Sequence, residues 1–250
     1  MDVWSHPLVI AHRGASAHAP ENTLAAFDAA LRLGAHAIEL DTKLSADGRV
    51  VVIHDATVNR TTDGKGRVSN MELAALQALD AGSFFSKEFK GERIPTLDEV
   101  FDLVVGTRIL INIELTNYTT PHDALVEGVC ALVRHYSLEK RVLFSSFLAS
   151  NLTKCRRLLP EVPQGLLALP GWLGWWSRSF GFNFGEFEAL HPNVRDVTPR
   201  QVARVHRLKR RILVWTVNAA ADIRRLYSWG VDGIFTDDPL QALGVLGAKS

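Results

Sequence analysis

The chain has 250 residues, 47% of them hydrophobic and 22% charged, and this apolar share excludes an intrinsically disordered protein. Its formal net charge of +1 argues against a nucleic-acid-binding protein, because phosphate contacts require a surplus of lysine and arginine. We predict a cytoplasmic protein, since no apolar run reaches the roughly 18 residues of a membrane span, residues 1–7 lack the features of a signal peptide, and two cysteines are too few for a disulfide framework.

Short apolar runs alternate with helical patterns along the chain. The predicted strands cover residues 8–11, 37–40, 50–53, 109–113, 141–144, 164–169, 187–190, 212–216 and 232–235. The predicted helices begin near residues 23, 96, 122, 148, 198 and 220. This alternation implies parallel strands with right-handed crossovers, and about eight such units fit an α/β fold of the (β/α)₈ TIM-type barrel class. An open doubly wound sheet is the second option, although no Gly-x-Gly-x-x-Gly turn follows a strand.

The alternation is interrupted between His54-Asp55, where a strand ends, and Thr96, where a helix begins. Residues 56–93 contain turn signals and one short helical pattern near residues 71–79. A loop of that length is uncommon inside a compact domain unless it is functional. We therefore predict a single domain spanning residues 1–250, with an insertion at about 56–93 on the C-terminal face of the barrel.

Polar side chains stand where the predicted strands end. They are His12 and Arg13, Glu39 and Asp41, His54, and Glu114. The C-terminal ends of barrel strands are where active sites are built. Glu39 and Asp41 are two residues apart and therefore point to the same side of a strand. Neighbouring carboxylates repel each other unless a cation lies between them. With Glu114 added, three oxygen donors favour a divalent cation, Mg²⁺ or Ca²⁺.

Several ordered motifs resemble those of the glycerophosphodiester phosphodiesterase family, in its bacterial, cytosolic form. They are His12-Arg13-Gly14-Ala15-Ser16, Pro20-Glu21-Asn22-Thr23, Glu39-Leu40-Asp41, His54-Asp55, Arg60-Thr61-Thr62, Ile94-Pro95-Thr96-Leu97, Trp215-Thr216-Val217-Asn218 and Thr236-Asp237-Asp238-Pro239. The resemblance covers nearly the whole chain. It implies a TIM-type barrel with a small insertion, a divalent cation, and hydrolysis of glycerophosphodiesters to sn-glycerol 3-phosphate and an alcohol.

The resemblance also implies a role for each polar position. It makes His12 and His54 the acid/base pair, Arg13 the phosphate contact, and Glu39, Asp41 and Glu114 the metal ligands. We take His12 as the base and His54 as the acid, while the reverse assignment stays open, as does attack by water or by the glycerol hydroxyl of the substrate. One position departs from the family pattern: many members carry Glu-x-Lys, whereas Thr116 stands two residues after Glu114 here. One positive charge near the phosphate is therefore missing from its usual place.

Three further features have more than one interpretation. Trp215 either binds substrate as a wall of a glycerol pocket or belongs to the core. His191 could line the site, but we favour a structural role because no proton-transfer role is left unfilled. Residues 170–184 contain three tryptophans and three phenylalanines. They could cap the barrel mouth, receive an apolar alcohol group, touch a membrane, form a dimer patch, or form an ordinary barrel helix packed on its strand.

Three functions remain open at this stage. The first is a metal-dependent glycerophosphodiester hydrolase. Its substrate is a small molecule, and nucleic acid is not expected as a partner. The second is a lysophospholipase D-type enzyme or lyase that acts on lysolipids with the same residues, and only residues 170–184 favour it. The third is a barrel that binds phosphodiesters without catalysis. Membrane contact through residues 170–184 is an option that we do not favour, and either a monomer or a homodimer is compatible with the sequence.

Overall fold

The computed structural model describes residues 7–247, so the prediction about residues 1–7 lies, except for Pro7, outside the described residues. The strands are β1 (Leu8–Ala11), β2 (Ala37–Leu44), β3 (Val50–Val52), β4 (Leu110–Leu115), β5 (Val142–Ser146), β6 (Gln164–Ala168), β7 (Ala189–Pro192), β8 (Arg211–Val214) and β9 (Gly233–Thr236). The helices are α1 (Leu24–Arg32), α2 (Leu73–Gln77), α3 (Leu97–Val104), α4 (Leu125–His135), α5 (Ala149–Leu158), α6 (Phe182–Phe184), α7 (Pro199–Arg207), α8 (Ala220–Ser228) and α9 (Pro239–Gly247).

The described strands form one sheet that closes on itself. Its order is β1-β9-β8-β7-β6-β5-β4-β2-β3, and a parallel pairing of β1 with β2 completes the ring. Only β3 stands outside the ring, because it pairs antiparallel with the last residues of β2. The predicted (β/α)₈ barrel is confirmed, and the open doubly wound sheet is excluded.

Helix starts follow local sequence signals. Thr23 caps α1 and accepts a hydrogen bond from the backbone N–H of Ala26. Thr96 and Glu99 form the predicted reciprocal capping box at α3. Thr198 caps α7, whose first turn begins with a proline, as predicted. These caps satisfy backbone donors that a helix leaves free, and they fix where each crossover turns back onto the barrel.

Two predicted strands are displaced. The strand predicted at 187–190 lies at Ala189–Pro192, and the one predicted at 212–216 ends at Val214. The parallel register with neighbouring strands sets these ends, since Ala168 pairs with Pro192 in that register. Hydrophobic runs do not mark where such pairing stops. His191 therefore lies inside β7 rather than after it.

Alternation along the strands fills the barrel in layers. The lower interior is apolar and consists of Leu8, Ile10, Ala37, Leu110, Leu143, Ala189, Leu213 and Phe235. The next inward positions along several of these strands are polar, among them Glu39, Asn112, Ser145 and His191. The larger apolar core lies between the strands and the outer helices. The site therefore stands on an apolar plug at the C-terminal end of the barrel.

The segment between β3 and α3 has a small core of its own. Val51, Ile53, Val58, Val68, Leu76, Ala81 and Ile94 form this cluster. The predicted helical piece near 71–79 appears as α2 (Leu73–Gln77). The segment leaves from β3, which borders the C-terminal half of β2, and it therefore lies at the mouth of the barrel. Within the described part of the chain, no helix has the length and apolarity that crossing a bilayer would require.

Residues 170–184 occupy the position of the barrel helix between β6 and β7. They form a 3₁₀ turn at Gly171–Gly174, a π-helical turn at Ser177–Gly181, and α6. The interpretation as an ordinary helix packed on its strand is wrong for most of the segment, because among its large apolar side chains only Phe182 is fully buried.

Candidate active site

One cavity at the barrel mouth gathers most of the predicted residues. It is lined by His12, Arg13, Glu39, His54, Asn112, Glu114, Ser145, Phe147, Leu167, His191, Trp215, Thr216 and Phe235. Asp41 lies beside it as part of a cluster with Glu39 and Glu114. All seven residues predicted from the sequence therefore belong to one site.

Glu39, Asp41 and Glu114 form an acidic cluster in which one oxygen from each lies within 4.8 Å of the others. Burial, followed by the charges of Asp41 and Glu114, raises the pKa of Glu39 well above its ordinary value. Burial and the charge of Asp41 raise the pKa of Glu114 to about 8. Glu39 Oε1 is buried and has no hydrogen-bond partner in the part of the chain that the structure describes. The cluster thus holds more negative charge than its surroundings neutralise.

Asp41 is the member of this cluster that keeps its charge. Burial alone would raise its pKa, but the charges of Arg13 and His54 and a hydrogen bond from Asn22 hold it below the ordinary value. Asn22 Nδ2 donates to Asp41 Oδ2 over 2.9 Å. Asn22 has a φ of 57°, a left-handed conformation that asparagine tolerates better than most residues. The turn before α1 is therefore shaped to deliver an amide to a metal-ligand candidate.

The turn after β1 fixes Arg13. Arg13 and Gly14 have φ values of 57° and 81°, and a Cβ at Gly14 would lie 2.6 Å from the backbone of Ala26. The Arg13 backbone N–H donates to Glu39 Oε2 over 2.8 Å. The Arg13 guanidinium donates to Glu21 over 2.8 Å, and its Nε lies 3.3 Å from Asp41 without the angle of a hydrogen bond. Arg13 therefore stands at the mouth, held by carboxylates.

His12 is held by Asp237, which follows β9. His12 Nδ1 lies 2.7 Å from Asp237 Oδ1, and the His12 side chain is 20% exposed. Asp237 also accepts hydrogen bonds from Ser16 and from Asn218. Burial would raise the pKa of Asp237, but the hydrogen bond with His12 and the other contacts lower it. A carboxylate on Nδ1 fixes the ring and leaves Nε2 as the nitrogen available to the cavity.

His54 has a similar carboxylate with a different neighbour. His54 Nδ1 lies 2.6 Å from Asp55 Oδ1, and its side chain is 42% exposed. Arg60 donates to both oxygens of Asp55, over 2.8 and 3.1 Å. Arg60 also donates to both oxygens of Glu21, the residue that binds Arg13. These hydrogen bonds from Arg60, together with that of His54, hold the pKa of Asp55 well below its usual range.

Aromatic rings form the wall opposite the acidic cluster. Trp215 and Phe147 meet edge to face at 5.8 Å between centroids, and Phe147 and Tyr118 do so at 5.7 Å. Trp215 Nε1 donates to the carbonyl of His191 over 2.7 Å. The Tyr118 hydroxyl donates to Glu114 Oε1 over 2.7 Å, and burial and this neighbour raise its pKa. Tyr118 therefore joins the aromatic wall to the acidic cluster.

Lys43 brings a positive charge to the rim beside Thr116, the position at which the sequence departs from the pattern of the resemblance. The register of β2 and β4 places these two residues opposite each other, one pair beyond Thr42 and Leu115. Lys43 Nζ donates to the Thr116 carbonyl over 2.7 Å and to its hydroxyl over 2.9 Å. Burial lowers the pKa of Lys43, while Asp41 and Glu114 oppose that shift.

His191 lies at the base of the cavity. It is fully buried, and neither ring nitrogen has a hydrogen-bond partner among residues 7–247. Burial lowers its pKa to about 3, so the ring is neutral. A Cβ at position 165 would lie 2.3 Å from His191 Nε2, so Gly165 provides the space for the ring. The structural role favoured from the sequence explains the burial but not the two unpartnered nitrogens.

Sequence reasoning missed several residues that hold the site. They are Asp237, Asn22, Tyr118, Lys43, Asn112 and Ser145. Asp237 and Asn22 stand in motifs that carried the resemblance, so a signal for them existed. For Lys43, Asn112 and Ser145 the signal is the two-residue period itself, which places them on the inward face with Asp41, Glu114 and the other lining residues.

The chain matches known proteins along nearly its whole length. Residues 12–241 match the sequence model of the family described as the glycerophosphoryl diester phosphodiesterase family. A glycerophosphodiester phosphodiesterase of Caldanaerobacter subterraneus subsp. tengcongensis is 41% identical over 232 residues, covering 93% of this chain and 94% of that protein.

Solved structures of similar proteins have the same fold. A phosphodiesterase of Oleispira antarctica, solved in complex with the product sn-glycerol-3-phosphate, has a TM-score of 0.89 and 32% identity, covering 99% of this chain and 100% of that one. A glycerophosphodiester phosphodiesterase of Agrobacterium tumefaciens has a TM-score of 0.82 and 30% identity, covering 95% and 99%. The present chain belongs to the glycerophosphoryl diester phosphodiesterase family and is an enzyme of that family.

Proposed function

We propose that the enzyme hydrolyses glycerophosphodiesters to sn-glycerol 3-phosphate and an alcohol, with a divalent cation and two histidines. The observation that carries this proposal is the acidic cluster with its unpartnered Glu39 oxygen, flanked by two histidines that each contact a carboxylate. The complex of the Oleispira antarctica relative with sn-glycerol-3-phosphate supports the choice of product.

The donor set fits Mg²⁺ or Ca²⁺. Glu39, Asp41 and Glu114 offer only carboxylate oxygens, which both ions prefer. Burial and the neighbouring carboxylates raise the pKa values of Glu39 and Glu114, and a cation between them would relieve that repulsion. When bound, the cation would screen the charge of the phosphodiester and help to orient the glycerol hydroxyls.

His12 suits the role of general base. Its Nδ1 contacts Asp237, whose other partners, Ser16 and Asn218, are uncharged. The full charge of Asp237 therefore stabilises the imidazolium that forms when His12 Nε2 takes a proton from the attacking hydroxyl. As that hydroxyl oxygen forms its bond to phosphorus, the bond from phosphorus to the departing alcohol oxygen breaks.

His54 suits the role of general acid. Arg60 donates to both oxygens of Asp55, so this carboxylate is fixed in place and orients the His54 ring. From this position, His54 would pass a proton to the oxygen of the departing alcohol. Water as the attacking group gives sn-glycerol 3-phosphate directly. Attack by the glycerol hydroxyl of the substrate gives a cyclic glycerol phosphate, which a water must then open to give the same product. Both routes are compatible with this arrangement.

Arg13 and Lys43 are our candidates for phosphate recognition. Arg13 lines the cavity and offers a planar set of donors, which suits phosphate oxygens. Lys43 adds a second positive charge on the rim formed by β2 and β4. We further propose that Trp215 contacts the glycerol carbons, since its ring lines the same cavity.

An activity assay tests the proposal. The enzyme is incubated with glycerophosphocholine, glycerophosphoethanolamine or lysophosphatidylcholine, with Mg²⁺, with Ca²⁺ or with a chelator, and glycerol 3-phosphate is measured. We expect product from the two water-soluble diesters that depends on added metal. Absence of metal-dependent product from every substrate would overturn the proposal and favour a phosphodiester-binding protein.

A lysophospholipase D-type enzyme or a lyase acting on lysolipids is the second candidate. The exposed apolar side chains of residues 170–184 favour it, because a substrate with an acyl chain needs an apolar surface beside the mouth. In the same assay, turnover of lysophosphatidylcholine alone would favour this candidate. A cyclic phosphate product, detected by ³¹P NMR, would distinguish the lyase from the hydrolase.

We further propose a cytoplasmic enzyme with one barrel domain spanning residues 1–250 and an insertion at about 56–93. The chain has two cysteines, Cys130 and Cys155, both buried, which is too few for the disulfide framework of an exported protein. Sedimentation velocity would decide between the monomer and the homodimer.

A further inference from the structure

A strip of apolar side chains on the outside of the barrel is exposed. This apolar strip consists of Trp172, Leu173, Trp175, Trp176, Phe180 and Phe184. Trp172 is 84% exposed and Phe184 83% exposed. Soluble proteins seldom expose so many large side chains side by side unless the surface binds something. Tryptophan is also the residue enriched where proteins meet the headgroup region of a bilayer.

The strip is held in place rather than loosely attached. Arg178 donates to the carbonyls of Leu169 and Gly171, over 2.7 and 2.6 Å, and lies 3.1 Å from Asp196. Phe182 is buried beneath the strip, and the Arg210 guanidinium stacks over its ring at 5.0 Å. The exposed rings contact one another, since Phe180 stacks on Phe184 at 6.2 Å. The apolar side chains therefore point outward from a fixed backbone.

A row of arginines runs along the strip. Arg200, Arg204 and Arg207 are spaced four and three residues apart on α7, which places them on one face of the helix. This arginine row and Trp175 line the same groove. Arg204 donates to the carbonyl of Arg178, while Arg200 and Arg207 form no ion pair within residues 7–247. The positive charges of these two residues are therefore available to a partner.

The charge of this region differs from that of the whole chain. Residues 170–211 contain eight lysines and arginines and three aspartates and glutamates, a local net charge of +5 in a chain whose total is +1. The strip begins directly after β6, and Arg178 ties it to Asp196, which follows β7. Its first residues therefore lie at the end of the barrel that carries the cavity.

We propose that the apolar strip and the arginine row together bind the anionic surface of a phospholipid bilayer. The aromatic side chains enter the headgroup region, and the arginines contact lipid phosphates. A second copy of the chain fits this surface less well, because a two-fold interface would bring the arginine row close to its own copy. The proposal concerns binding alone and does not depend on the reaction proposed above.

Vesicle co-sedimentation tests this proposal on the full chain. The vesicles contain phosphatidylcholine, either alone or mixed with phosphatidylglycerol. The apolar variant is Trp172→Ala with Trp175→Ala, and the charge variant is Arg200→Gln with Arg207→Gln. The control variant combines Phe84→Ala, Lys87→Gln and Lys90→Gln, which removes an exposed ring and two positive charges from the insertion.

We expect the wild type and the control to sediment with the mixed vesicles and much less with phosphatidylcholine alone. The charge variant should lose about 30-fold in partition, following the roughly 1 kcal/mol that each basic residue contributes near an anionic surface. The apolar variant should lose about tenfold or more. Added salt should weaken wild-type binding, because it screens exposed charges. The turnover of a water-soluble diester by each variant, unchanged from the wild type, shows that the fold is intact.

Two outcomes would overturn the proposal. One is the absence of wild-type binding to either kind of vesicle, whatever the activity on soluble diesters. The other is a wild-type dimer in sedimentation velocity that the apolar variant converts to monomer, without vesicle binding, which would assign the strip to a second copy of the chain. Equal vesicle binding by the charge variant and the wild type would overturn the part of the proposal that assigns lipid contacts to the arginine row.

Discussion

The two halves of the barrel mouth are built on opposite principles. The half formed by β1, β2 and β4 gathers charged side chains in buried or half-buried positions, among them Arg13, Asp41 and Glu114. The half formed by β5 to β8 presents Phe147, Leu167, Trp215 and the neutral ring of His191. The acidic half contains carboxylates that repel one another, whereas the aromatic half is packed ring against ring.

Within this one cavity, the acidic half therefore serves function at a cost in stability, whereas the aromatic half contributes to stability. The acidic half opposes folding unless protons or a cation occupy it, because like charges are held together out of water. The aromatic half gains stability from burial and from ring contacts without any ligand. We therefore expect substitutions in the acidic half to exchange activity for stability, and substitutions in the aromatic half to change substrate binding.

The largest effect should come from removing a charge from the acidic cluster. In the variant Glu39→Gln, we expect kcat/KM to fall by about 10³-fold or more, because one of the three proposed metal ligands is lost. The melting temperature in chelator should rise by a few degrees, since the buried Glu39 carboxyl, whose pKa is raised by burial and then by Asp41 and Glu114, is replaced by a neutral amide. Activity assays and calorimetry measure the two effects. A variant that loses activity and is also less stable in chelator would contradict the proposed asymmetry.

The two histidines should have the next largest effect. We expect His12→Ala and His54→Ala each to lower kcat by about 10²- to 10⁴-fold, the usual contribution of a general acid or base. The matched control is His206→Ala, which removes a histidine paired with Asp232 just before β9, at the opposite end of the barrel. Near wild-type turnover by His54→Ala would remove that residue from the mechanism.

The stability of the metal-free protein should depend on pH with a defined sign. The pKa of Glu114 is raised from 4.5 to about 8, so the folded state holds a proton that the unfolded chain releases. The stability that this proton provides is complete below about pH 4.5 and is lost as the pH rises through about 8. In chelator, the difference in melting temperature between the wild type and the Glu114→Gln variant should therefore shift against the wild type as the pH rises from about 4.5 to about 8.

Saturating Mg²⁺ should remove most of that fall, because a metal ion replaces the proton. Calorimetry at a series of pH values, with and without metal, measures the effect. A melting temperature in chelator that rises with pH relative to Glu114→Gln would contradict the assignment of a raised pKa to Glu114.

A smaller effect tests the positive charge on the rim. We expect Lys43→Met to lower kcat/KM by about tenfold, because one charge near the substrate phosphate is lost. The double variant Lys43→Met with Thr116→Lys moves the ammonium group across one strand pair. It should recover most of that loss in steady-state assays. If adding Thr116→Lys to the Lys43→Met variant does not restore kcat/KM, Lys43 acts only through its hydrogen bonds to Thr116.

The smallest effect should come from the aromatic half. His191→Leu removes two unpartnered ring nitrogens and should raise the free energy of unfolding by about 1 kcal/mol. If His191 binds a substrate hydroxyl, KM should rise a few-fold while kcat changes little, as expected when a binding contact is lost. Denaturant unfolding and steady-state kinetics measure both. Unchanged KM would leave His191 with a structural role.

The barrel and the residue types of its site were predictable because they follow from short-range patterns. Strand and helix alternation indicated the barrel, and Glu39 and Asp41 shared a face by their spacing. The carboxylates that hold the two histidines, Asp237 and Asp55, stood in motifs, but sequence does not show which side chain contacts which ring. Lys43 facing Thr116 depends on the register of two strands more than 60 residues apart, and register is a property of the closed sheet.

Glu21 is bound by two arginines, and this limits which insertions can be transplanted into the chain from related proteins. Glu21 binds Arg13 from the first loop and Arg60 from the insertion, so it joins two segments that are separate in sequence. Transplanting an insertion from a relative would succeed only if it carried a cation at position 60. Without one, Glu21 would bind Arg13 alone, and Asp55, which orients His54, would lose its arginine partner. The insertion and the first loop must therefore be exchanged together.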